Sequence, residues 1–273
     1  MDYLKVGGWE LKEYPNVIPG VAADTIRFHD KSVNCMTKRS YIKNLFKKAS
    51  LAAVKILVVL FVLSLLQVLL LKWIDPFTSS IMFQRQIESF FSGKESIKYE
   101  WYNYEDISAK VALAVIASED QNFPIHFGFD FEQINKALKE RKEKGRIRGA
   151  STITQQVAKN LFLWEGRSYI RKGFEAYYTL LMELLWSKKR ILEVYLNIAE
   201  TGGNIFGVGI ASKIYFTKHP KNLTVDESAL IAAVLPNPVK FSVRKPSDYI
   251  RKRQTWILNQ MNSLGGGAYI KDL

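Results

Sequence analysis

The chain has a single cysteine, Cys35, among 273 residues. No intramolecular disulfide can form, so any folded part rests on its core alone; Cys35 itself reads as an inert residue of a polar segment. Acidic residues are also in deficit. Twenty-six Asp and Glu face 39 Lys and Arg, giving a formal charge of +13 and a pI near 9.6. Such an excess calls for an anionic partner: nucleic acid, anionic lipid head groups or a phosphorylated substrate. It does not choose among them. Convincing strand runs and internal repeats are lacking, which leaves a mainly α reading. Nor is there a dedicated metal-ligand spacing, so no metal site is assigned.

What is present begins with apolar content of 48%, enough for a sizeable core. Residues 1–50 are polar, with scattered Gly, Pro and Asn, and read as a loosely folded tail. That tail turns basic at Lys38, Arg39, Lys43, Lys47 and Lys48. From Ile56 to Leu71 only Ser64 and Gln67 are polar. Adding Leu51–Val54 and a snorkelling Lys55 gives about the ~20 residues a spanning helix needs. A buried core helix is the other home for an all-round apolar helix, but a soluble domain has little use for sixteen nearly all-apolar residues in a row. A cleaved signal peptide would lie nearer Met1, with a small-residue cleavage site after it. Residues 51–73 are therefore expected to span a membrane. The basic flank places residues 1–50 in the cytoplasm and the rest outside, with Trp73 and Phe77 at the outer interface.

Residues 74–100 form a membrane-proximal connector carrying Ile81, Met82, Phe83, Phe90 and Phe91. An amphipathic helix at the membrane surface and an ordinary core helix fit it equally. Residues 101–262 are helical almost throughout, and 263–273 read as a tail. One helix face is traced by Ile107, Val111, Ala114, Val115 and Ser118. Thr152 and Gln155 have capping-box spacing at another helix start. Further helices are expected over 168–186, from Ser187 through Asn197, over 226–234 before Pro236 and Pro238, and over 247–262. Between them, Gly202, Gly203, Asn204, Gly207 and Gly209 make a glycine-rich loop.

Four blocks can carry chemistry. In 117–130, Glu119 and Asp120 end an apolar helix, where the helix dipole disfavours negative charge. Burial against Phe123 and Phe127 would raise a carboxylate pKa further, the usual origin of a general base or acid near neutral pH. His126 and Gly128 follow in a turn. In 145–160, a helix start with Ser151 and Thr152 offers backbone N–H groups to phosphate, and Gln155, Gln156 and Lys159 share the following turns. In 167–178, Arg171 and Lys172 both reach Glu175 along a helix, with Arg167 nearby; a surface salt bridge is the plainer reading. In 187–216, Glu193, Asn197 and Glu200 sit among apolar residues as structural hydrogen-bonding groups.

In this order the blocks resemble the motifs of the glycosyltransferase domain of peptidoglycan synthases, found in bifunctional penicillin-binding proteins and in monofunctional biosynthetic transglycosylases (glycosyltransferase family 51). Residues 119–130 match E-D-x-x-F-x-x-H-x-G-x-D, and 149–160 match G-[AG]-S-T-[IL]-T-Q-Q-x-x-K-N. Arg171-Lys172-x-x-Glu175 and Lys189-x-Ile191-Leu192-Glu193-x-Tyr195-Leu196-Asn197 fit the later motifs, and the likeness covers about 95–245. Three places depart from it: the family's Gly-Pro-Gly reads Gly202-Gly203-Asn204, its Gly-x-Glu-Ala-Ala run reads Gly207-Val208-Gly209-Ile210-Ala211, and Tyr-Phe-Gly-Lys reads Tyr215-Phe216-Thr217-Lys218. With no transpeptidase segment before Leu273, the monofunctional type is expected.

The resemblance implies a mainly α, lysozyme-like glycosyltransferase domain with a smaller membrane-proximal lobe. It implies an enzyme that polymerises lipid II at the outer face of a bacterial inner membrane, inverting the anomeric carbon and releasing undecaprenyl pyrophosphate. Glu119 and Glu175 are the expected catalytic groups. Ser151, Thr152, Gln155, Gln156, Lys159, Arg167, Arg171 and Lys172 are expected to bind substrate, and Asp120, Phe123 and His126 to support the loop. No cofactor is required; a divalent cation (Mg or Mn) with the pyrophosphate is compatible. Expected partners are lipid II, the growing glycan strand, membrane lipids and other cell-wall synthesis or division proteins, not nucleic acid. Two rivals carry other outcomes. A lysozyme-like hydrolase or lytic transglycosylase needs the carboxylate but not the cations. A membrane-anchored non-catalytic scaffold needs neither.

Overall fold

The computed structural model describes residues 22–145, 149–166, 168–271 and 273, with side chains from Ser40 onward except Lys144. The chain divides into two units, Met1–Leu63 and Ser64–Leu273. Helix α1 runs Ala22–Leu70. It starts far earlier than the expected span, because no Gly or Pro interrupts residues 21–75 and those residues are the strong helix breakers. The segment 22–50, expected as loosely folded, is thus helical, while residues 1–21 lie outside the described residues. Within α1, Ser40–Leu70 is long and apolar enough to cross a membrane, with mean hydropathy 2.7 in its most apolar stretch and only 6% of that stretch buried. A core helix of a soluble protein would be mostly covered.

The second unit is built almost wholly of helices whose ends follow local capping rules. Helix α2 (Ser80–Ser92) is capped by Ser79. Helix α3 (Ala109–Glu119) is capped by Ser108, whose side chain accepts from Lys110 N–H, so Ile107 stays outside the helix it was expected to join. Then come α4 (Phe131–Lys144), capped by Asp130, and α5 (Ile153–Phe162), opened by the Thr152–Gln155 capping box. Helices α6 (Tyr169–Leu185) and α7 (Lys188–Ile198) follow caps at Ser168 and Ser187. The set ends with α8 (Val208–Phe216), α9 (Val225–Val234) and α10 (Asp248–Ser263).

Helices α3, α9 and α10 pack on one another, and α5 packs on α6 and α7, with α2 added against α5. The apolar faces of both groups share one core, including Val115, Ile153, Ile191 and Ile231. Dispersion and burial across this core supply the main stabilisation.

The glycine-rich loop is a small sheet. Strand β1 (Lys98–Tyr99) pairs in parallel with β3 (Ile205–Phe206), which pairs antiparallel with β2 (Glu200–Gly202). Strands of two or three residues are too short to show a period of two, which is why none was expected. Gly209 lies inside α8, and a Cβ there would stand 2.1 Å from a Tyr102 ring carbon, so the helix can approach that ring only with glycine. The segment 263–273 is not a loose tail either. It holds a 3-10 turn (Gly266–Ile270), Ile270 is buried, and Tyr269 donates to the Gln121 carbonyl at 2.7 Å. The mainly α, lysozyme-like domain, with one membrane-length helix before it among the described residues, is the architecture found.

Candidate active site

Glu119 is the last residue of α3 and Asp120 its C-cap. Asp120 ties two segments together. His126 Nε2 donates to both of its oxygens (2.8 and 2.9 Å), and the Ile153 N–H, at the start of α5, donates to Oδ2 at 2.9 Å. Phe123 is fully buried beneath that loop, edge-on to His126, with the Lys188 ammonium 4.7 Å from its ring centre. Gly128 has φ +74, and a Cβ there would meet Thr179 at 2.7 Å and Glu183 at 2.9 Å. Phe127 is 53% exposed, so the cover over Glu119 comes from elsewhere.

That cover is Gln156 on α5 and Arg253 on α10. Gln156 Nε2 donates to Glu119 Oε2 at 3.1 Å, and the Tyr195 hydroxyl donates to Gln156 Oε1 at 3.1 Å, which fixes the amide orientation. Arg253 Nη2 lies 3.4 Å from Glu119 Oε1. The Glu119 side chain is 13% exposed. Burial pushes its pKa above the ordinary carboxylate value, while the Gln156 hydrogen bond and the Arg253 charge oppose the rise.

Two cavities meet at Gln156. One, of about 970 Å³, is lined by Glu119, Ser151, Gln156, Tyr249, Arg253 and Trp256, among others. The other, of about 480 Å³, is lined by Gln156, Lys159, Trp164, Arg171 and Glu200, among others. Pro236, just after α9, borders both. Lys159 stands one turn beyond Gln156 on the same face, as the spacing suggested. Burial lowers its pKa, offset in part by Glu175.

Glu175 is nearly fully buried (side chain 4% exposed) and accepts from Arg171 Nη1 at 2.9 Å and from Lys172 Nζ. The plain surface salt bridge is therefore overturned: one carboxylate without solvent holds two cations. The expected phosphate seat at the start of α5 is also corrected. Its Ile153 and Gln155 N–H groups are taken by Asp120 and by Thr152 Oγ1. Thr152 and Gln155 are buried and spend their polar atoms on that cap and on the Gly128 carbonyl, whereas Ser151 is exposed on the larger cavity. Arg167 lies outside the described residues. The expected structural roles of Glu193, Asn197 and Glu200 appear as hydrogen bonds to Tyr104 N–H, to both backbone groups of Tyr102 and to Asn204 N–H.

Sequence reasoning missed Arg253 and Trp256, one turn apart in a helix read only as basic, and it quoted Tyr195 without giving it a role. It also missed Glu183, a buried carboxylate accepting from Thr154 Oγ1 (2.6 Å) and Lys188 Nζ (2.9 Å) beneath the Gly128 turn. An acid amid the apolar stretch 180–186 was the available signal.

The family model described as Transglycosylase matches residues 84–262. A protein of Mannheimia succiniciproducens is 59% identical over 177 residues, covering 65% of this chain and 72% of its own. One of Haemophilus influenzae is 57% identical over 194 residues (70% and 78%), and one of Pseudomonas entomophila 48% over 211 (77% and 89%). All three bear the name biosynthetic peptidoglycan transglycosylase. With the matched region holding the Glu119 and Glu175 clusters and the larger cavity, the chain belongs to the transglycosylase family.

Proposed function

We propose that this chain is a peptidoglycan glycosyltransferase that joins lipid II units into glycan strands, using Glu119 as general base and the Lys159–Arg171–Lys172 cluster to receive the departing pyrophosphate. The observation that carries the reading is what meets at Gln156: the buried Glu119, which Gln156 contacts directly, lines one cavity, and Lys159 and Arg171 line the other. A hydrolase has no use for the second group, and a scaffold none for the first.

In this reading the acceptor lipid II lies in the larger cavity with its GlcNAc 4-hydroxyl at Glu119. The growing strand lies with its reducing end and lipid pyrophosphate in the smaller one. Glu119 takes the hydroxyl proton as the oxygen attacks the anomeric carbon. The bond to pyrophosphate breaks on the opposite face, so the α-linkage becomes β in a single displacement. General-base assistance of this kind contributes roughly 10²–10⁴ in rate. Negative charge grows on the leaving pyrophosphate, where Lys159, Arg171 and Lys172 supply positive charge already in place, and Arg167 is a further candidate by sequence alone. Glu175 holds Arg171 and Lys172 in position. No three His, Cys, Asp or Glu side chains converge among the described residues. A divalent cation with the pyrophosphate is compatible with this reading, and no step depends on it here.

The membrane helix fits a prenyl substrate that cannot leave the bilayer cheaply, because tethering raises the effective concentration of site and substrate. The basic flank before it supports an N-terminus in the cytoplasm and a catalytic unit on the outer side of the inner membrane. On α2, Phe83, Ile87 and Phe90 are exposed at helical spacing, with Phe91 beside them, which supports a membrane-surface position for the connector. The basic surface favours anionic lipid head groups, and other cell-wall synthesis or division proteins remain partners of this reading. The test is purified chain in detergent with labelled lipid II. It should give a muramidase-sensitive polymer with β-linkages and an equal release of polyprenyl pyrophosphate. Absence of polymer with folded protein would sink the reading.

A further inference from the structure

We propose that Arg253, on α10, is a positioning residue that keeps Glu119 charged and fixed in orientation within the larger cavity. The inference rests on Glu119 being the base. Three circumstances work against a carboxylate at this place: the negative end of the α3 dipole, the neighbouring Asp120, and burial. Something must offset them if the base is to be ready for a proton. Gln156 and Ser118 touch Glu119 but are neutral. Among the described residues, Arg253 is the cation within ion-pair distance.

The other groups around Glu119 do not take this role. Asp120 is occupied by His126 and Ile153. Asp130, which also lines the cavity, caps α4 and receives Asn122 Nδ2. Tyr195 from α7 and Tyr269 from the C-terminal turn are phenols whose pKa values burial raises, so they stay neutral. The end of α9 near the site, residues 228–235, carries no charge. Lys252 lines the cavity, but Glu119 pairs with Arg253.

The geometry suits support without capture. A single Nη reaches a single carboxylate oxygen at 3.4 Å, longer than the roughly 2.7–2.9 Å of a tight charge-assisted pair. A two-pronged pair would depress the basicity of Glu119 and occupy the lone pairs that must accept the hydroxyl proton. The guanidinium lies over Trp256, whose ring centre is 5.9 Å from its carbon. Glu119 is its only carboxylate partner among the described residues.

The experiment is the pH profile of kcat/KM for lipid II polymerisation by the full chain and by Arg253→Gln, Arg253→Met and Arg253→Lys. Removing the cation should move the acid limb up by about one pH unit, the low end of what an adjacent opposite charge does. Activity should be lost severalfold at neutral pH and recover at high pH, with KM nearly unchanged. Arg253→Lys should return the limb most of the way. Arg251→Gln, which removes an equal charge from the same helix, should leave it in place. A loss independent of pH, a rise in KM with an unmoved limb, or failure of both neutral variants to fold would each overturn the proposal. Full activity of Glu119→Gln would instead remove the base assignment beneath it.

Discussion

Replacing Asp120 by alanine tests whether one carboxylate joins the catalytic loop to α5. In the folded state it accepts from His126 Nε2 and from the buried Ile153 N–H, and it is itself 6% exposed. Alanine leaves both donors without an acceptor. Each stranded buried group costs about 1–3 kcal/mol, so the loss should be about 4 kcal/mol. For a unit of this size each kcal/mol lowers the melting midpoint by about 2–4 °C, which predicts a fall of about 8–16 °C. Asp120→Asn should lose less. Its amide oxygen can still serve Ile153, and its NH2 can face His126 in the other tautomer. Intrinsic-fluorescence melting of detergent-solubilised protein reads the change, with Glu132→Ala as comparison. Glu132 forms an exposed pair with Lys136 (side chains 67% and 52% exposed), and its loss should stay within about 0.5 kcal/mol. If Asp120→Ala melts within 2 °C of the native chain, the loop is not held in this way.

Three further outcomes follow from the same structure. Thr217 ends α8 at φ +57, a region costly for a β-branched residue, and Thr217→Gly should raise stability by about 1 kcal/mol; a lower melting midpoint would contradict this. Gly209→Ala should lower stability by about 1–3 kcal/mol or more, because the added methyl overlaps the Tyr102 ring, and a melt indistinguishable from native would show that the ring is free to move. The Glu119 pKa is raised on folding from its ordinary 4.5, so the native state holds its proton longer than the unfolded chain. Stability from this site therefore falls as pH rises from about 4.5 through the raised value. Glu119→Gln should thus match or exceed the native chain in stability at neutral pH, with the difference shrinking in acid; pH-dependent urea unfolding checks the sign.

Much of this was legible in the sequence because it is local. Ser168, Ser187 and the Thr152–Gln155 pair announce helix starts through contacts within three residues, and the helices begin there. Glu119 at the end of an apolar helix and the Arg171–Lys172–Glu175 spacing were equally visible. Their burial was not, since exposure depends on what packs on top. Arg253 reaches Glu119 across more than a hundred residues, and no periodicity links them. The same holds for Gly209, whose reason is the ring of Tyr102, and for Tyr269, which fastens the last residues to the loop after α3. The strands were missed because two residues carry no pattern. The early start of α1 was missed because polarity was taken for disorder where helix breakers were in fact absent.

The most direct test of the central claim compares lipid II polymerisation by the native chain and by Glu119→Gln, with folding of both checked by circular dichroism. The account predicts polymer from the native chain and a loss of at least about 10²-fold in the variant. Equal polymerisation by both would contradict Glu119 as the base, and cleavage of preformed glycan without polymerisation would contradict the synthetic reading.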